Sequence, residues 1–250
     1  MTLSIMTGNI GSGKSLLAMK YAKMGQVVVN MDCIQKMVGG GEYGLYDNEK
    51  KEVYHAAEII TIESALNLGL SVVVDRTNMD RKRRARFIEA GKSYAKEIIS
   101  IDFGKGTQDG LNRRLDTPHG IPRAQWEDVY AYMKKSYEPP SLEEGFNQLI
   151  EAPKSFKFYA FDFDGTIVKN KFPEIGEIID GTVEIMNSLW SEMKNIIIIW
   201  SCRSGDYENQ MRAFLLKNKL PFDFINQNPV FDTGGRKIFA HEYYDDRNAF

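Results

Sequence analysis

Gly8-Asn9-Ile10-Gly11-Ser12-Gly13-Lys14-Ser15 follows a short apolar run at residues 3–7 and leads into good helix formers at 15–24. A G-x-x-x-x-G-K-[ST] pattern between a strand and a helix limits a chain to few architectures, because its glycines exist to curl backbone N–H groups around phosphate. Gly8, Gly11, Ser12, Gly13, Lys14 and Ser15 are therefore the expected nucleotide-binding residues. Lys14 is expected to reach the β- and γ-phosphates, and Ser15 to ligate Mg²⁺. The helix N-terminus adds partial positive charge.

Past this loop the chain alternates. Apolar runs at 26–30, 70–75 and 97–103 read as strands, with helical spacing at 48–68 and 81–94 between them. Such alternation predicts a parallel sheet covered by helices. The polar, proline-bearing stretch 151–155 reads as a linker. After it the pattern restarts with strands at 156–161, 196–200 and 242–244 and helices at 183–194 and 207–219. The fold class expected is α/β, in two domains at 1–152 and 153–250, each a mainly parallel sheet flanked by helices.

Composition excludes several classes. The 250 residues carry a net charge of −2, too little positive charge to coat long duplex DNA, although a short nucleic-acid end entering a local pocket stays possible. No apolar run approaches the roughly 18 residues of a membrane span. The N-terminus has no signal-peptide pattern. Two cysteines do not make a disulfide framework, so a reducing cytoplasm is the expected compartment. Cys33 reads as a small buried filler, and His55, His119 and His241 have no ligand spacing.

Two carboxylates fall at strand ends in the first half. Asp32, after the second strand, is either a general base for an attacking hydroxyl or a helix N-cap. Asp75, ending Val72-Val73-Val74, either supports Mg²⁺ or its waters or is a plain cap. Val74-Asp75-Arg76-Thr77-Asn78, followed by Arg81-Lys82-Arg83-Arg84, resembles the D-x-T-N…R segment of polynucleotide 5′-hydroxyl kinases. Glu42-Tyr43, Tyr46, Lys51 and the stretch Tyr137-Glu138-Pro139-Pro140 also resemble that group. The resemblance covers nearly all of residues 1–150. It implies that Asp32 is the general base, that Asp75 and Asn78 seat the acceptor end, and that ATP or another NTP is the donor. It also implies an arginine-bearing lid, here Arg113 and Arg114, with Arg114 the catalytic candidate. The second lid arginine is missing, and Arg123 is the substitute at hand. The arginine expected soon after Asp32 is Gln35. The alternative for Arg113, Arg114 and Arg123 is a solvated helix face, and the basic run 81–86 either contacts acceptor phosphates or is such a face.

In the second half Asp162-Phe163-Asp164-Gly165-Thr166 ends a strand. This D-x-D-G-T pattern resembles the signature of the haloacid-dehalogenase (HAD) phosphatases. The resemblance implies that Asp162 is the nucleophile forming an aspartyl-phosphate and that Asp164 is the acid and then the base. Ser201 would bond the phosphoryl oxygens, Arg203 would clamp the phosphate, and Lys237, or else Arg236, would offset charge. Asp162, Asp164, Asp245 and Asp246 would hold Mg²⁺. Residues 156–250 are similar to small phage and bacterial HAD phosphatases sharing Phe172-Pro173-Glu174-Ile175-Gly176. The chain between Thr166 and Ser201 leaves no room for a large cap domain. A kinase followed by a HAD domain is similar to phage polynucleotide kinase–phosphatases, which heal RNA or DNA ends. That implies polynucleotide ends and NTP as partners, with no membrane. Two other readings remain open: a kinase and phosphatase of nucleotides or other metabolites, and a nucleotide-binding regulatory module.

Overall fold

The computed structural model describes residues 1–41, 47–116, 120–229 and 238–247. These divide into two compact units, Met1–Ala152 and Pro153–Phe250.

The first unit begins with β1 (Thr2–Thr7), α1 (Lys14–Lys23), β2 (Val27–Asn30) and α2 (Met31–Gly39). It continues through α3 (Lys51–Asn67), β3 (Val72–Asp75), α4 (Arg81–Lys92) and β4 (Glu97–Asp102), and ends with α5 (Gln108–Asp116), α6 (Arg123–Lys135) and β5 (Gln148–Glu151). The sheet order is β2-β3-β1-β4-β5 with every pairing parallel. β1 and β3 are buried nearly end to end because helices cover both faces, which is why they read as unbroken apolar runs. Leu3, Ile5, Val72, Val74 and Phe87 meet in one core. In such a sheet the carboxyl ends of the strands form the binding edge. Here that edge carries Thr7, Asn30, Asp75 and Asp102, with Asn30 beside Asp75 and Thr7 beside Asp102 in register.

The second unit holds β6 (Lys157–Asp162), α7 (Asp180–Ser191), β7 (Asn195–Trp200), α8 (Asp206–Lys217), β8 (Phe224–Ile225) and β9 (Glu242–Tyr244). Its order is β8-β7-β6-β9, again all parallel. Phe161, Phe163, Ile197, Ile199, Met211 and Leu215 form its core. Between Thr166 and Ser201 the only helix is α7. The α/β architecture with parallel sheets is as the alternation predicts.

Three expectations need correction. Glu151 belongs to β5, so the stretch read as linker overlaps a paired strand, which four exposed residues with only two apolar ones among them do not announce. Cys33 is exposed, not buried, because it lies on the outward first turn of α2. The basic run of α4 is not a uniformly solvated face, since two of its arginines turn inward. Arg84 is fully buried, with its guanidinium bidentate on Glu144 at 2.8 and 2.7 Å and bonded to the carbonyls of Asn78 and Glu138. Arg86, with Arg76, brackets the buried Glu58 of α3 at 2.8 and 2.9 Å. Buried arginines of this kind need every donor matched. These ion pairs fasten α4 to α3 and to the 138–144 segment. No helix among the described residues is long and apolar enough to cross a membrane.

Candidate functional sites

The phosphate loop is braced from several directions. The Gly8 N–H donates to the Thr77 carbonyl at 2.8 Å, tying the loop to the chain after β3. Asn9 is fully buried; its amide donates to the carbonyls of Lys105 and Tyr130 and accepts from the Ile10 N–H. Gly11 has φ +70°, and a Cβ there would lie 1.9 Å from the Gly110 carbonyl oxygen of α5, so only glycine fits. Lys14 heads α1 and bends back, donating to the Asn9 carbonyl at 2.7 Å and the Ser12 hydroxyl at 3.2 Å. Burial lowers its ammonium to about 8; Asp75 pushes it up, Arg114 down again, and Asp32 up.

Asn30 organises the acidic side. Its Oδ1 accepts the Cys33 N–H at 3.1 Å, capping α2, and its Nδ2 donates to Asp75 at 2.8 Å. The cap position is thus filled, which leaves Asp32 an exposed first-turn carboxylate without a capping role. Asp75 is 5 % exposed and is not a cap either. Asn30→Ala should remove the cap and strip a buried carboxylate of its donor. The expected loss is about 2–3 kcal/mol of stability in the first unit. Denaturant unfolding checks this, and Asn30→Ser, which keeps the cap but not the amide donor, should recover about 1 kcal/mol of it.

On α5 the two arginines divide. Arg113 donates twice to the Gly11 carbonyl, at 3.1 and 3.0 Å, and so holds the loop itself. Arg114 lies 4.8 Å over the ring of Trp126, with its buried Nε lacking a protein partner. Arg123 does not join them: it is 72 % exposed and pairs with Glu127 one turn on. Asn78 is also diverted. It is 2 % exposed, with Nδ2 bonded to the Met6 carbonyl at 2.9 Å, and it ties β1 to the turn after β3 instead of facing an acceptor. Ser15 is exposed in the first turn of α1.

In the second unit Asp162 ends β6, and Asp245 and Asp246 follow β9. These three carboxylates can offer ligand atoms all within 4.8 Å of one another. Gly165, at φ +105°, makes this possible, since a Cβ there would lie 2.4 Å from the Asp246 carboxylate. The Asp246 N–H donates to the Thr166 hydroxyl at 2.9 Å. Asp162 is pushed up to about 6, by burial first, with the charges of Asp245, Asp164 and Asp246 adding and a bond from the Phe163 backbone opposing. An open groove of about 450 Å³ reaches this cluster past Ile179, Thr182, Tyr243 and Tyr244.

Two expected roles fail here. Arg203 is 2 % exposed, and its donors are engaged: two bonds of 2.7 Å to Asp164 and others to the carbonyls of Pro173 and Glu174. It fixes Asp164 and is not a free phosphate clamp. Asp164, held that way, is not among the three carboxylates that converge. Ser201 lies just beyond β7, its hydroxyl accepting the Arg203 N–H at 3.2 Å and its own N–H donating to Asn226. Lys237 and Arg236 lie outside the described residues, as do Glu42, Tyr43, Tyr46 and His119.

A family model described as an AAA domain matches residues 3–140 of the chain. The chain belongs to the AAA domain family. Similar solved structures include a conserved protein from Bacteroides thetaiotaomicron, 35 % identical over 38 % of this chain and 78 % of that one, with a TM-score of 0.34. The Pnkp1/Rnl/Hen1 RNA repair complex matches 99 % of this chain and 90 % of that one at 20 % identity and a TM-score of 0.45. A fungal RNA kinase matches 84 % and 95 % at 13 % identity and a TM-score of 0.42.

Within the AAA domain, Asn9, Asn30 and Trp126 are the site residues that pattern reading missed. Asn9 and Asn30 carried a usable signal, since a polar residue inside a glycine loop and one before a helix are each suited to backbone bonding. Trp126 carried none, because only the fold brings α6 under Arg114.

Proposed function

We propose that the protein is a bifunctional phosphotransfer enzyme that heals polynucleotide ends, with its 5′-kinase site at the AAA domain's carboxyl edge and its 3′-phosphatase site at the carboxyl edge of the second sheet. One observation carries the kinase half: a buried lysine bonded back onto Asn9 and Ser12 of a phosphate loop, which Arg113 of α5 braces at Gly11. In this reading the triphosphate replaces the Asn9 carbonyl and Ser12 hydroxyl as partners of Lys14, and the loop N–H groups hold its oxygens. Asp32 takes the proton of a 5′-hydroxyl, whose oxygen then attacks the γ-phosphorus as the bridging P–O bond breaks and the diphosphate leaves. Arg114 offsets the charge that develops.

The phosphatase half rests on the carboxylate cluster. Asp162 attacks phosphorus and the P–O bond to the sugar breaks, with Asp164 giving its proton to the departing oxygen. Asp164 then takes a proton from water, which attacks the aspartyl-phosphate and frees Asp162 and phosphate. Arg203 keeps Asp164 aimed throughout. Three convergent carboxylates suit a hard divalent ion such as Mg²⁺, held by Asp162, Asp245 and Asp246. Bound there, it would neutralise charge between nucleophile and phosphate. Because Asp162 protonates near pH 6, Mg²⁺ should raise the unfolding temperature of the second domain more at pH 7.5 than at pH 5. Thermal scans with Mg²⁺ and with chelator measure this. An equal effect at both pH values speaks against Asp162 as a ligand.

The decisive assay offers γ-labelled NTP and a 5′-hydroxyl, 3′-phosphate oligonucleotide, as RNA and as DNA. Label on the oligonucleotide and release of its 3′-phosphate support the proposal. Label on a small molecule supports a metabolite kinase, and tight NTP binding without transfer supports a regulatory module.

A further inference from the structure

We infer that the exposed pair Phe172 and Tyr207 is a nucleobase platform, which selects nucleoside-bearing phosphate esters over sugar and glycerol phosphates at the second site. The inference rests on the phosphatase reading above and goes on to name its substrate class.

Phe172 is 57 % exposed and Tyr207, in the first turn of α8, is 42 % exposed. Their ring centres are 5.3 Å apart at 56°. Two large aromatics exposed side by side offer a flat apolar face that a planar group can cover. These two are also fixed to the chemistry. The Arg203 guanidinium carbon lies 5.2 Å from the centre of Phe172 and 5.3 Å from that of the buried Phe163. The same guanidinium holds both oxygens of Asp164. One planar group therefore joins the proposed acid to a stack that starts at Phe163 in the core and ends at Phe172 in solvent.

The direction of the reaction says what belongs on that end. The acid protonates the oxygen that leaves, so the alcohol half of the ester lies on the Asp164 side, while the cluster of Asp162, Asp245 and Asp246 takes the phosphoryl half. A nucleoside carries its flat base on the alcohol half, beyond the sugar, and Phe172 packs on the guanidinium that holds Asp164. Stacking a base on an aromatic side chain is sequence-tolerant, since every base has a π-face. A sugar or glycerol phosphate has no flat group to place there. The 450 Å³ groove is lined by neither Phe172 nor Tyr207 and is a separate approach to the cluster.

The test compares hydrolysis of adenosine 3′-monophosphate and glycerol 2-phosphate by the full chain and by Phe172→Leu, Phe172→Ala and Phe172→Trp. Leucine keeps apolar cover on Arg203 but removes the π-face. For the nucleotide, Phe172→Leu should raise KM about tenfold with kcat nearly unchanged, and Phe172→Trp should restore it. For glycerol 2-phosphate, KM should not move. Equal losses on both substrates would mean that Phe172 only supports Arg203, and no loss on the nucleotide would mean the ring is idle; either overturns the platform. Should Phe172→Ala lower the melting temperature, the leucine and tryptophan pair still decides. If the wild-type chain hydrolyses neither ester, the phosphatase reading itself falls; if it hydrolyses both without regard to Phe172, only this inference does.

Discussion

Asp162→Asn is expected to lower phosphate-ester hydrolysis about ten-thousandfold while leaving transfer from NTP unchanged. The substitution keeps shape and removes the attacking oxygen's charge, so no covalent intermediate can form. The kinase residues belong to the other compact unit. A second readout guards against trivial unfolding. In the folded chain the Asp162 carboxyl is raised from 3.8 to about 6, so its ionised form is disfavoured relative to the unfolded chain. That cost is fully present above pH 6 and fades as pH falls through 6 toward 4. Without Mg²⁺, the asparagine variant should therefore melt at a higher temperature than the wild type at pH 7.5, with the gap closing near pH 4. An inactive variant that is also less stable at pH 7.5 would point to misfolding instead, and joint loss of both activities would refute their independence.

The residues that the sequence announces best are those whose chemistry and backbone demand coincide. Gly11 and Gly165 are such cases: each sits in a motif, each has positive φ, and each leaves room for a close neighbour, Gly110 in one case and Asp246 in the other. The buried central strands of both sheets were legible for a similar reason, since a run such as 196–200 has no other way to bury itself, whereas the short strands β5 and β8 were not. Arginines were the least legible. Arg84, Arg113, Arg114, Arg123 and Arg203 have one chemistry in sequence and five surroundings in the fold. They are, in turn, a buried staple on Glu144, a brace on Gly11, a half-satisfied cation over Trp126, an exposed partner of Glu127 and a buried clamp on Asp164. A guanidinium bonds equally well to phosphate, carboxylate and carbonyl. Which of them it meets depends on contacts 39 residues away for Arg203 and 102 for Arg113, beyond the reach of any local pattern. Asn78 is a similar case: its place three residues after Asp75 in a motif suggests the acceptor, whereas its amide is bonded to the Met6 carbonyl.

Lys14→Ala is expected to reduce transfer from NTP about a thousandfold and to spare phosphatase activity. The lysine also carries a signature that activity alone does not report. Burial holds its ammonium near 8 when the loop is free, with Asp75 and Asp32 together unable to restore the ordinary value of 10.5. A triphosphate brings several negative charges to the same atom, which raises that value. The complex then binds more protons than the free protein between pH 8 and the new, higher value. Nucleotide binding should therefore take up protons at pH 8.5, and affinity should fall as pH rises above about 8. Calorimetry in two buffers of different ionisation enthalpy measures the uptake directly. Lys14→Ala should abolish it, and Lys14→Arg, which keeps the charge but does not titrate in this range, should bind nucleotide without it. Affinity that stays flat from pH 7 to 9.5 in the wild type would remove Lys14 from the phosphate site, and with it the reason for placing Asp32 and Arg114 there.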